Sequence, residues 1–144
     1  DSDKLYTGPV WDFDLAFDND QRTYPVNTLS DYIYATKGSV ASESVRSMVN
    51  VIVKEDEAAR QRLLELWNSA RDEGGINETS LLAYVDEIAE LLDESQKLNF
   101  YRWNILNEKI QQNPVVYGNY QGEVNAVKTY LKHRLPRMDQ LIGR

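Results

Sequence analysis

Apolar residues recur at intervals of three and four from residue 41 to residue 144, and this spacing constrains the fold more than any other feature of the chain. Such spacing collects apolar side chains on one face of an α-helix. The stripes contain Val45, Met48, Val49, Ile52 and Val53; Ala59, Leu63, Leu66, Trp67 and Ala70; Leu81, Leu82, Val85, Ile88, Ala89 and Leu92; and Val124, Val127, Tyr130, Leu131, Leu135, Met138 and Leu141. The sequence therefore predicts a mainly α protein, with a helical bundle over residues 41–144.

Turn and capping residues set the expected ends of the first helices. We expect one helix over residues 42–54 and a second over residues 55–71, which Gly74-Gly75 would stop. Asn77 is a candidate N-cap for a third helix. Its apolar pattern runs on to Asn113-Pro114 without a breaker and fits either one helix of about 34 residues or two collinear helices with a bend near residues 95–99. On this pattern Trp67 and Trp103 are expected in the core.

The last helix is expected to begin at Glu123, after a turn-rich loop over residues 113–122. Pro136 lies inside this helix and should kink or split it near His133, because proline cannot donate a backbone hydrogen bond. His133 is the only imidazole of the chain. A Ser–His–Asp triad and a histidine metal cluster are therefore not supported, and we expect His133 to be a surface or half-buried residue.

Residues 1–40 differ from the bundle but are expected to belong to the same domain. The β-prone residues 5–7 and 10–11 surround Gly8-Pro9 and predict a short strand or hairpin. Residues 18–30 are polar and predict a long loop. A chain of 144 residues is the length of one ordinary domain.

The net charge of the chain argues against one class of protein. The formal net charge is −7, distributed as −3 over residues 1–54, −9 over residues 55–96 and +5 over residues 97–144. A general nucleic-acid binder needs basic residues for the phosphates, so this class is not expected. The acidic middle and basic end should be opposed helical faces that attract each other. A weaker alternative is that the basic end, with Lys128, Lys132, Arg134 and Arg137, binds phosphate.

The chain has no cysteine, which excludes thiol catalysis and cysteine-ligated zinc. No apolar run is long enough to span a membrane. Because a chain without cysteine is stable in reducing and oxidising compartments alike, the location stays open, an extracytoplasmic or envelope location included.

The most unusual stretch is Trp11-Asp12-Phe13-Asp14. In an extended segment Asp12 and Asp14 point to the same side, about 7 Å apart. Two carboxylates at this distance can converge on one hard divalent cation such as Mg²⁺. The alternative places both on the wet side of an edge strand. Asp18 and Asp20 also suggest a calcium loop, but the glycine and terminal glutamate of an EF-hand are missing.

Residues 8–17, Gly-Pro-Val-Trp-Asp-Phe-Asp-Leu-Ala-Phe, closely resemble the W-D-[FY]-D signature of the spore-coat CotH kinase family. Trp67 and the stretches 104–113 and 130–141 resemble the helical tail of its bacterial members. These proteins are atypical protein kinases, so the resemblance implies a fragment similar to a kinase C-lobe, acting with ATP and Mg²⁺. It implies that Asp12 and Asp14 bind the metal. Trp11 would orient the segment or stack on the nucleotide base, with burial in the core as the alternative.

Only eleven residues precede Asp12, too few for the catalytic-loop Asp and the phosphate-binding Lys that precede the metal motif in kinases. We therefore expect the carboxy-terminal part of a CotH-like kinase, without a catalytic residue of its own. Its partners would be the remainder of the parent chain and a protein substrate.

The alternative is a non-catalytic helical domain of a bacterial envelope protein that contacts other proteins or glycans. Tyr101, Trp103, Tyr117 and Tyr120 could form such a glycan surface, because aromatic faces stack on sugar rings. Core packing is the simpler explanation of the same four residues.

The 144-residue chain alone should not turn over ATP. Phosphoryl transfer depends almost entirely on positioning and electrostatic stabilisation, so a site with half of its groups should be close to inert. A phosphorylation assay on the purified chain checks this. Metal-dependent transfer that Asp12→Asn abolishes would contradict it.

Overall fold

A computed structural model describes residues 16–21, 32 and 43–144. This part of the chain contains five α-helices and no strand, so the mainly α fold is confirmed. The predicted strand or hairpin falls outside the described residues. The helices are α1 (Glu43–Asn50), which continues into a π-helical turn (Val51–Glu55), α2 (Glu57–Asp72), α3 (Glu78–Leu91), α4 (Asp93–Arg102) and α5 (Tyr120–Ile142).

Side-chain caps begin three of the helices. Asp56 accepts a hydrogen bond from the Ala59 backbone N–H at 2.7 Å and begins α2. Asn77 accepts one from Ser80 N–H at 2.9 Å, which confirms it as the N-cap of α3. Asn119 does the same for α5. Each cap satisfies a backbone donor that has no partner inside its helix.

Of the two expected forms of the third helix, the continuous one from Asn77 to Asn113 is wrong, and two helices are present instead. Helical geometry is interrupted at Leu92, where ψ is −2°, and not at residues 95–99. Helix α4 then ends at Arg102, because Trp103 takes an extended conformation with ψ of 91°. Residues 103–113 form short turns, such as the hydrogen bond from Glu108 N–H to the Ile105 carbonyl at 3.0 Å. Their apolar residues therefore lie at helical spacing without forming a helix.

Helix α5 begins three residues earlier than expected, at Tyr120, and runs through Pro136 without being split. Proline removes the hydrogen bond to the carbonyl four residues before it, here that of Lys132. Both Lys132 and Pro136 are exposed, so water can reach that carbonyl. The helix ends at Gly143, whose φ of 94° suits glycine.

Helix α5 lies at the centre of the described part, with α2 and α3 packed against it. Its Val124 and Leu135 are the only fully buried apolar side chains among the described residues, at 8% and 6% exposure.

A polar cluster fixes α2 on α5. The Asp139 carboxylate accepts hydrogen bonds from the Trp67 indole at 2.7 Å and from the Arg71 guanidinium at 3.0 Å through two nitrogens. Burial acts to raise the pKa of Asp139, but the hydrogen bonds from Arg71 and Trp67 outweigh it, so this pKa is lowered.

Ion pairs between the middle and the end of the chain confirm the attraction predicted from charge. Lys128 of α5 lies 2.7 Å from Asp86 of α3. Arg144 lies 2.6 Å from Asp72 at the end of α2, and the hydrogen bond from Arg144 lowers the pKa of Asp72. Both aspartates are exposed, so each pair contributes little to stability.

The prediction that the aromatic residues pack in the core is only partly correct. Trp67 and Tyr120 are half-buried. Tyr101, Trp103 and Tyr117 are 91%, 55% and 46% exposed, so their expected burial is wrong. Trp103 leaves the core because the helix that would have carried it inward ends one residue before it.

Replacing Asp139 with Ala should destabilise the fold by about 2–4 kcal/mol, because it leaves a largely buried guanidinium without its carboxylate. The matched control Asp86→Ala removes an exposed ion pair and should cost less than about 1 kcal/mol. Denaturant unfolding measures both. Equal losses would contradict the assignment of the Asp139 cluster as the joint between α2 and α5.

The Asp139 contribution should depend on pH. A carboxyl whose pKa is lower in the folded chain stabilises it fully above the ordinary value of 3.8. The stability difference between wild type and Asp139→Ala should therefore shrink as the pH falls through 3.8 to the lowered pKa. Unfolding at a series of pH values checks this. A difference that grows in acid would contradict it.

Candidate functional site

Residues 16–21 come directly after the Trp11–Asp14 motif and are anchored on the helical body. Asp20 is 2% exposed, the most buried polar residue in the part of the chain that the structure describes. Burying a carboxylate costs free energy unless fixed polar partners compensate for the lost water. A carboxylate buried to this degree is therefore rare on a loosely attached segment. The chain is therefore held in place six residues after Asp14.

An aromatic contact joins this segment to α5. The rings of Phe17 and Tyr130 lie 5.4 Å apart at an angle of 57°, a favourable tilted arrangement. Burial raises the pKa of the Tyr130 hydroxyl, the charge of Arg134 opposes this shift, and the charge of Asp18 adds to it. Tyr130 is thus a neutral, half-buried platform under Phe17.

A second attachment joins the segment to the turn at residues 110–113. The Gln21 backbone N–H donates to the Gln112 carbonyl at 2.8 Å, and the side-chain amides of the two residues are also hydrogen-bonded. Asp18 and Gln111 have positive φ values of 64° and 47°. Non-glycine residues adopt this conformation uncommonly. Both segments that meet in this contact are therefore tight turns.

A cavity of about 800 Å³ opens beside this segment, between it, α3, α5 and the loop before α5. This volume is in the range of small-molecule sites. Aromatic and aliphatic side chains form most of its wall, and polar groups such as Asp18, Asn19 and Glu123 join them. The apolar wall includes Phe17, Tyr84, Val85, Ile88, Ala89, Val115, Tyr117, Tyr120, Val124, Val127 and Tyr130.

The walls of the cavity are themselves fixed by hydrogen bonds. The Tyr120 hydroxyl donates to the Ala89 carbonyl of α3 at 3.4 Å. Glu123 accepts a hydrogen bond from the Tyr117 backbone N–H at 3.3 Å, which draws the loop onto the first turn of α5. His133 also lines the cavity and is exposed, as predicted.

The residues that the sequence singled out for chemistry, Trp11, Asp12 and Asp14, lie outside the described residues, so their roles stay predictions. In the described ranges no group of three or more His, Asp or Glu could hold a metal ion, and Asp18 and Asp20 belong to no such group. Sequence reasoning missed Phe17, Tyr130 and Gln112. Phe17 was visible as an apolar residue after the motif, but its spacing does not reveal which helix it contacts.

The basic end offers less to phosphate than the sequence suggested. Lys128 donates to both carboxylate oxygens of Asp86 at 2.7 Å. Arg137 donates to the Gln140 side chain at 3.0 Å. A residue already held by a neighbour must give up that contact to bind an anion, so the structure adds no support to this alternative.

Comparison with known proteins gives the class of the chain as a kinase-like protein. The family model described as CotH kinase protein matches residues 1–138, and the chain belongs to the CotH kinase family. No curated protein and no solved structure matches the chain. Across residues 16–21, 32 and 43–144, no helix combines the length and apolar character that a membrane span requires.

Phe17→Ala should loosen the segment at residues 16–21 while the helices remain folded, because it removes the ring that packs on Tyr130. We expect faster hydrogen exchange at the Gln21 amide, which is bonded to the Gln112 carbonyl. Exchange in α3 should not change. The control Leu66→Ala removes a side chain that is 52% exposed on α2 and should leave Gln21 unaffected. Unchanged exchange at Gln21 in Phe17→Ala would show that the aromatic contact does not anchor the segment.

Proposed function

We propose that this chain is part of a CotH-type protein kinase and supplies the metal-binding motif for Mg²⁺- and ATP-dependent phosphorylation of a protein substrate. The observation that carries the proposal is the family match, which extends over residues 1–138 and so includes the motif at Trp11–Asp14. The non-catalytic envelope domain is the less favoured alternative, because the family match covers nearly the whole chain and not the helices alone.

The donor chemistry of the motif fits Mg²⁺. Asp12 and Asp14 offer carboxylate oxygens, the ligands that a hard cation prefers, and Mg²⁺ is commonly bound through one or two carboxylates together with phosphate oxygens. Bound Mg²⁺ supplies neutralisation of the charge on the transferring phosphate. In this proposal Asp12 and Asp14 hold the ion, and Trp11 orients the motif or stacks on the nucleotide base.

The anchored segment supports this role because phosphoryl transfer depends on positioning. Residues 16–21 are tied to α5 through Phe17 and to the 110–113 turn through Gln21. These contacts hold the segment that follows the motif in sequence. A carboxylate pair attached to a fixed platform loses less conformational entropy on binding a metal than one on a free loop.

The remaining groups of the reaction are proposed to come from the rest of the parent chain. A kinase requires a base near the substrate hydroxyl and a cation on the nucleotide phosphates. Among the described residues, Lys128, Arg71 and Arg144 each pair with an aspartate of this chain, so none of the three is a ready phosphate ligand. The proposed partners are therefore the parent chain and the protein substrate.

Asp12→Asn and Asp14→Asn, made in the full-length parent, should each lower phosphorylation by about 100-fold or more while leaving the fold intact, because each removes a negative ligand of the cation. Asp86→Asn is the matched control, since Asp86 is exposed on α3 and its ion pair among the described residues is with Lys128. It should retain wild-type activity. A phosphorylation assay with added Mg²⁺ measures all three proteins.

A thermal melt with and without Mg²⁺ and ATP separates metal binding from folding. Ligands that bind only the folded protein raise its melting temperature. Wild type and Asp86→Asn should show this rise, and the two motif variants should lose most of it without a lower starting temperature. Full activity in both motif variants would end the proposal. A large loss of melting temperature without ligand would instead assign the aspartates to the fold.

A further inference from the structure

Helix α4 presents apolar side chains to solvent. Leu98 is 72% exposed and Tyr101, one turn further along, is 91% exposed. Leu91, the last residue of α3, is also 75% exposed. An isolated exposed leucine is ordinary, but several on one surface mark an interaction site.

The opposite side of α4 faces the body of the protein. Phe100 is half-buried, and its ring lies 6.5 Å from that of Tyr120 on α5. Gln96, four residues earlier, is also half-buried, so the two define the inner side. This inner side of the helix therefore packs against the body of the protein, and Leu98 and Tyr101 lie on a second, outward side. We call Glu94, Leu98, Tyr101 and Arg102 the α4 outer face.

The charges of the α4 outer face are arranged symmetrically about Leu98. Glu94 lies four residues before it and Arg102 four residues after it, on the same side of the helix. Glu94 is bound by Lys97 at 2.9 Å, but Lys97 also holds Asp93 at 2.6 Å and keeps that partner if Glu94 turns away. Arg102 stacks on the Trp103 ring at 5.1 Å and has no carboxylate partner among the described residues.

We propose that the α4 outer face binds the same face of a second copy of this chain. With the two helices antiparallel and the two-fold axis at Leu98, Leu98 meets its own copy. Glu94 of each chain then lies opposite Arg102 of the other, which gives two such pairs.

Self-complementarity identifies the occupant. An interface between identical chains must match a surface with its own rotated copy, so opposite charges at equal distances from a central apolar residue favour a two-fold dimer. An unrelated partner would impose no such symmetry on this chain. Helix α4 has 10 residues, which is about 15 Å of contact. A face of this length predicts a reversible dimer that depends on concentration.

Sedimentation equilibrium of the 144-residue chain tests the apolar centre. Wild type should show a monomer–dimer equilibrium. Leu98→Glu places two like charges at the axis and should raise the dissociation constant by at least about tenfold. The matched control is Leu66→Glu, the same change at a leucine that is 52% exposed on α2. It should dimerise as wild type does, and circular dichroism should show equal helix content in all three.

Charge exchange tests the pairing itself. Glu94→Arg gives a chain with two cations on the face, and Arg102→Glu gives one with two carboxylates. Each alone should dissociate at least about tenfold more readily, because like charges oppose each other across the axis. Mixed in equal amounts, the two variants should re-form a dimer, since every cross-axis pair is then attractive. The double variant should also regain dimerisation.

Three results would count against the proposal. A wild-type chain that is monomeric at every concentration would overturn the proposal. So would a Leu66→Glu variant that dissociates as readily as Leu98→Glu, since the contact would then be non-specific. Failure of the mixed charge variants to associate would overturn the antiparallel pairing even if wild type dimerises.

Discussion

Helix α5 is the constraint on which the rest of the described structure depends. Several other segments attach to it along its length, through aromatic contacts, ion pairs and hydrogen bonds. Tyr120 contacts Phe100 and the Ala89 carbonyl, Lys128 pairs with Asp86, Tyr130 packs against Phe17, and Asp139 holds Trp67 and Arg71. The Leu141 carbonyl also accepts a hydrogen bond from the Tyr32 hydroxyl at 3.4 Å. A single continuous helix therefore sets the relative positions of parts that are distant in sequence, and this explains why its passage through Pro136 without a split matters.

The existence of the helices could be predicted from the sequence because amphipathic spacing and capping residues act locally. Asn77 identified the start of α3 correctly for this reason. The ends inside a long apolar pattern could not be predicted, because spacing does not reveal where tertiary contacts favour another backbone path. Leu92 and Trp103 both continue the apolar pattern, yet the first interrupts a helix and the second follows the end of one. The same limit explains the wrong burial of Tyr101, since a periodic pattern defines a side of a helix and not what covers it.

The candidate site divides in a similar way. The metal-binding role of Asp12 and Asp14 stays a prediction, but it could be proposed from the sequence because both belong to one short motif. Its support could not, because Phe17, Gln21, Gln112 and Tyr130 meet only through the fold. The charge pattern is intermediate: local sums predicted an attraction between the acidic middle and the basic end, and the structure supplies the particular pairs. Asp139 shows the limit of such sums. It is an acidic residue within the basic end, yet it forms the most buried of the ion pairs described above.

The contact between Phe17 and Tyr130 has a consequence for the order in which the protein is made. Phe17 leaves the ribosome long before Tyr130, because synthesis runs from the amino terminus. The segment after the motif has no platform until α5 has emerged and formed, and contacts between such distant residues form slowly. Residues 16–21, although translated long before α5, are thus among the last of the described segments to reach their final contacts.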